Sequence, residues 1–92
     1  MTDREMLEFA FRAYAPGENY IRMVNVAGAD YWNPLTNDAD ALRLAVRLEM
    51  CVDFMDRRVI AGELPEVVID FEDNDYRRAI VRAAAEIGKT MP

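Results

Sequence analysis

The apolar spacing of this chain predicts an α+β fold in which three helices pack on a small, mostly antiparallel sheet, with an α-β-α sandwich as one arrangement of those layers. Two observations carry that expectation. Three segments place apolar residues three and four positions apart behind capping residues, and the stretches between them are short β-branched or aromatic runs bounded by Gly, Pro and Asn. At 92 residues the chain fits one domain, residues 1–92, with no internal repeat and no shift in composition along it.

The first helix starts from a capping box, Thr2 with Glu5, and carries Met6, Leu7, Ala10, Ala13 and Tyr14 on one stripe before Ala15-Pro16-Gly17 breaks it. From Asn19 to Trp32 the residues Tyr20, Ile21, Val24, Val26 and Tyr31, interrupted by Ala27-Gly28, predict one or two strands. Asn33-Pro34 is a turn, and a second helix follows, capped by Thr36 or Asn37, with Asp38 and Asp40 against its dipole and Ala41, Leu44, Ala45 and Leu48 on its inner stripe. Met50–Met55 and Val67–Phe71 are expected strands, with Ala61-Gly62-Glu63-Leu64-Pro65 as a loop between them. In the last helix, capped by Asp73 or Asn74, the residues Tyr76, Ala79, Ile80, Ala83, Ala84 and Ile87 form the clearest amphipathic pattern, and Gly88 with Lys89 is expected to stop it.

Seventeen acids against eleven bases give a formal net charge of −6, which opposes direct contact with nucleic acid or anionic lipid. No apolar stretch approaches the length that crosses a bilayer, and no basic segment precedes an apolar run at the start, so a cytoplasmic setting is expected. The single cysteine, Cys51, cannot form an internal disulfide, and its neighbours Met50 and Val52 suggest a buried thiol. A chain this small buries only about 60–65% of its unfolded surface, so a second copy could add stability and a homodimer is one expected state.

The block from Trp32 to Val46, WNPLTNDADALRLAV, resembles the signature of small phage and prophage proteins that carry the phage ABA sandwich domain. The closing run from Arg77 to Gly88 resembles that family's C-terminal helix, and Met1 to Glu5 resembles its first helix. The resemblance implies a phage origin, a bacterial host cell as the setting and a sheet covered by helices on both faces; it implies no catalytic residues.

The chemistry available is narrow. With no histidine, one cysteine and no serine, most nucleophile and base constellations are excluded, and no enzymatic role is expected. Paired acids such as Asp53 with Asp56 or Asp70 with Glu72 are what seventeen acids in 92 residues produce by chance. The four glycines form no phosphate cradle, and Asp70 to Asp75 fails the spacing of a calcium loop, so neither cofactor nor metal is expected.

Two candidate binding sets remain. Glu63, Glu66, Asp70, Glu72 and Asp73 belong to a run of acids with no intervening base, which is either a solvated edge or a contact surface for a protein with a basic surface. Tyr31, Trp32, Arg78 and Arg82 are the best set for the alternative, a pocket that sequesters a nucleotide-type ligand, although Trp32 can equally plug the core and Arg82 can pair with Glu86. Together with the phage resemblance, the leading expectation is a non-enzymatic accessory protein that binds a host protein, such as a CRISPR effector or another defence complex, with its acids standing in for phosphates.

Overall fold

The computed structural model describes residues 1–62 and 66–91. Glu63, the first member of the acidic set, lies outside the described residues, as does most of the loop read between Ala61 and Pro65. The fold is α+β, and among the described residues there are four α-helices and a three-stranded antiparallel sheet: α1 (Asp3–Tyr14), α2 (Tyr20–Ala27), a 3₁₀ turn (Ala29–Tyr31), α3 (Asp38–Arg47), β1 (Cys51–Asp53), β2 (Arg58–Ala61), β3 (Val67–Asp70) and α4 (Tyr76–Lys89).

Helix α1 begins as its sequence dictates. The Glu5 amide donates to Thr2 Oγ1 at 3.1 Å while the Thr2 amide donates back to Glu5 Oε1 at 3.3 Å. Met6, Leu7, Ala10, Phe11 and Ala13 turn inward. Helix α3 is anchored by Asn37, whose Oδ1 accepts the Asp40 amide at 3.0 Å, and Asp40 in turn accepts the Asn33 amide at 2.9 Å and the Arg43 guanidinium at 3.1 Å. Those bonds satisfy a carboxylate that is only 7% exposed, and they hold the Asn33-Pro34 turn against the first turn of α3.

The stretch read as strands, Asn19 to Trp32, is instead helix α2 followed by the 3₁₀ turn. Its β-branched residues are overridden by a cap and by packing: Asn19 Oδ1 accepts the Arg22 amide at 3.0 Å, and Tyr20, Met23 and Val24 lie inward at helical spacing, with the Tyr20 ring 5.9 Å from Phe11. Gly28, at φ 92°, ends the helix.

The central element is α4, where Ala79, Ile80, Val81, Ala83, Ala84, Ala85 and Gly88 are all buried. One side receives α1, its most extensive partner, and other sides receive α3 and strands β2 and β3. The layers therefore run sheet, α4, then α1. In the sheet, Val52, Val59 and Ile69 stand in register, and with Ala61 and Val67 they face the core. The opposite face carries Cys51, Ile60 and Val68 in one row and Asp53, Arg58 and Asp70 in the next, and Val68 is 48% exposed there. A sandwich with helices on both faces of the sheet is thus not the arrangement the described residues adopt. The outer face carries a charged row, Asp53, Arg58 and Asp70, across all three strands, and a helix laid over it would have to bury those ions.

Three local expectations are corrected. Cys51 is exposed, because β1 pairs it with Ile60 on the outer face. Helix α4 starts after Asp75, not Asp73 or Asn74, and among the described residues no side chain caps it. Gly88 does not stop that helix but lies inside it, because α1 approaches so closely that a Cβ at Gly88 would fall 1.9 Å from the Phe9 carbonyl oxygen.

Candidate functional site

The β1–β2 hairpin ends in a four-residue turn, Phe54 to Arg57, which the Asp53 carboxylate stiffens by accepting the Met55 and Asp56 amides at 3.0 Å each. Phe54 leans edge-on against Phe71, with ring centroids 6.3 Å apart, and against Tyr76, at 5.5 Å. Even so, Phe54 is 63% exposed and Met55 is 93% exposed. The Phe71 amide donates to the Arg57 carbonyl at 2.8 Å, which sets the turn holding Glu72 and Asp73 beside the hairpin tip. Arg57, at φ 54°, and Asp73, at φ 50°, both occupy the left-handed region, so two strained residues flank the same junction.

Of the acidic set, Glu66, Asp70, Glu72 and Asp73 are exposed. Asp70 is not without a base, since register places Arg58 beside it and the Arg58 Nε donates to its Oδ1 at 3.1 Å. Asp53 flanks Arg58 from the other strand. The carboxylates left around the tip are therefore Asp56, Glu72 and Asp73. The hairpin turn also carries an exposed apolar pair, Phe54 and Met55, that sequence reasoning did not single out, because exposure of a Phe-Met pair in a turn is not legible from composition.

Tyr31, Trp32, Arg78 and Arg82 do not come together. Trp32 is buried at 4% exposure, stacked on Tyr14 at 5.4 Å and edge-on to Phe11 at 5.2 Å. Tyr31 is 71% exposed and borders a groove of α2 with Arg22, Met23 and Val26. Arg78 donates to Asp3 at 2.6 Å, and with Arg82 it lines a cleft whose other walls include Asp70, Glu72 and Asp75. Glu86 bonds Lys89 rather than Arg82, at 3.4 Å. Among the described residues no three carboxylate or thiol groups converge as a metal site, and no helix is long and apolar enough to cross a membrane.

Behind the tip a polar latch joins α3 to α4. Asp38 accepts the Tyr76 hydroxyl and the Arg77 guanidinium, each at 2.6 Å, and Arg77 Nε also donates to the Leu35 carbonyl at 3.2 Å. The Tyr76 hydrogen bond first, and the Arg77 hydrogen bond second, hold the Asp38 carboxyl below the ordinary aspartate range. A depressed folded-state pKa contributes stability above the unfolded-state value and loses it as pH falls through the folded value. Thermal melts between about pH 6 and pH 2 should therefore show an acid-side decline that is shallower in Tyr76→Phe, together with an Asp38 NMR titration midpoint displaced upward. Superimposable titrations of wild type and variant would remove Tyr76 from this role.

Compared with known protein families, with curated proteins and with solved structures, the chain matches none.

Proposed function

We propose that this protein is a non-enzymatic binding module that engages a basic protein surface through its hairpin tip. Phe54 and Met55 enter an apolar recess of the partner, while Asp56, Glu72 and Asp73, extended by Asp70, meet its cationic rim; Glu66, beyond the Ala61–Val67 pair at the other end of β3, stands outside this contact. The observation that carries this reading is the exposure of two large apolar side chains, 63% and 93%, on a turn stiffened by Asp53 and seated on Phe71 and Tyr76. Apolar anchors within a polar, charged rim are the anatomy of protein-binding hot spots, and stiffness lowers the entropy lost on association. The acidic rim favours fast, salt-sensitive encounter with a basic partner.

The phage-like blocks extend the proposal to an accessory protein made in an infected bacterial cell, whose partner is a host defence complex with an Arg/Lys groove for nucleic acid. The alternative of a sequestered nucleotide-type ligand gains no support from the geometry, because Trp32 is buried in the core and Tyr31 borders a different groove from the cleft of Arg78 and Arg82.

Affinity capture from a bacterial host lysate tests the proposal, comparing wild type with Phe54→Ser/Met55→Ser and with Glu72→Gln/Asp73→Asn, each checked for folding by circular dichroism. Wild type is expected to retain a basic protein at low salt. Loss of the anchors should weaken retention by about tenfold or more, and loss of the charges should reduce its salt dependence. Equal retention by all three proteins would show that the tip is not the contact.

A further inference from the structure

The outward face of α3 departs from the acidic character of the rest of the molecule. Leu42 and Val46, four residues apart, are 64% and 68% exposed, and Arg43 and Arg47, also four apart, run alongside them. With Tyr14 these four side chains border a shallow, open depression of about 530 Å³. Arg43 leans on Asp40, and Arg47 makes no ion pair among the described residues. This groove is thus a shallow apolar strip with a cationic border.

The hairpin tip offers the converse, an exposed apolar pair with acids near it, so one chain carries two apolar surfaces opposite in charge. We propose that the α3 groove receives the hairpin tip of a second copy, with Phe54 and Met55 over Leu42 and Val46, and Asp56 and Glu72 beside Arg43 and Arg47. This inference rests on the reading of the tip as a contact surface and names a second occupant for it. Because the two surfaces differ, the contact is heterologous: it closes into a dimer or ring where the geometry allows two reciprocal contacts, and otherwise grows into chains. Self-association would cover the tip and compete with a foreign partner.

The charge arrangement gives a test by exchange. One variant, Asp56→Lys/Glu72→Lys, makes the tip basic; the other, Arg43→Gln/Arg47→Glu, makes the groove acidic. All four side chains lie at exposed positions, and circular dichroism checks that both variants fold. Sedimentation at low salt should show wild type above 10.5 kDa, with mass rising with concentration. Raising salt to about 0.5 M should weaken association by about tenfold or more. Each variant alone should associate at least about tenfold more weakly than wild type, whereas an equimolar mixture of the two should recover association, since each then meets its opposite. A wild-type mass that stays at 10.5 kDa at all concentrations, or a mixture no better than its components, would overturn the inference. The groove variant keeps the tip intact, so its capture of a basic host protein reports on the proposed function independently of self-association.

Discussion

Gly88→Ala is expected to destabilise the fold by about 3 kcal/mol or more, although helix propensity alone predicts the opposite sign. Inside an exposed helix, alanine in place of glycine gains about 0.5–1 kcal/mol. Here the new Cβ would sit 1.9 Å from the Phe9 carbonyl oxygen and 2.7 Å from its carbon, and both are backbone atoms that no rotamer change can move. Relief requires α1 and α4 to separate by about 1 Å along the most extensive contact in the molecule, which loosens a close-packed core rather than one side chain. With a total stability of roughly 5–14 kcal/mol for a chain of this length, the loss corresponds to a melting temperature lower by roughly 12–24 °C. A melting temperature equal to or above wild type would mean that the two helices are not in close contact at this point. The alanine variant of Gly17, where a Cβ meets nothing within 4 Å but φ is 90°, isolates the backbone cost of losing a glycine without a clash.

Trp32 supplies the second large effect and separates a core role from a binding role. Trp32→Ala removes the ring that fills the space between Tyr14 and Phe11, and should cost about 3–5 kcal/mol in urea or thermal unfolding. Trp32→Phe should cost far less, about 1.5 kcal/mol or below. It keeps an aromatic ring in place and deletes an indole Nε1 that is buried with no hydrogen-bond partner among the described residues, a donor whose burial is itself unfavourable by about 1–3 kcal/mol. Were Trp32 a ligand-contacting residue at the edge of a pocket, both substitutions would leave stability near wild type. Small and equal effects in the two variants would therefore restore the pocket reading that the packing opposes.

The parts legible in sequence are those governed by local signals. Thr2 with Glu5, and Asn37 ahead of Asp38 and Asp40, mark helix starts because a side chain within three residues satisfies a backbone donor that nothing else reaches. The alternation in Val67–Asp70 marks a half-buried strand. Strand β2 escaped because Arg58–Ala61 is four residues long and is identified only by its partners on both sides. The acidic run could be read as a bias in charge, but the base that answers Asp70 is twelve positions away and arrives only through sheet register.

By itself, then, the order of residues determined a small acidic α+β domain and the starts of α1 and α3, since these follow from composition and from interactions a few residues long. Tertiary structure decided the rest. Tyr20–Ala27 became a helix because Phe11 gives Tyr20 a buried site, and Gly88 became a contact rather than a stop because α1 lies against it. Phe54 and Met55 became a projecting tip because β2 turns the chain back beneath them. Each of these outcomes depends on which distant surfaces meet, and burial against a distant partner outweighs the fractions of a kcal/mol that local propensity contributes per residue.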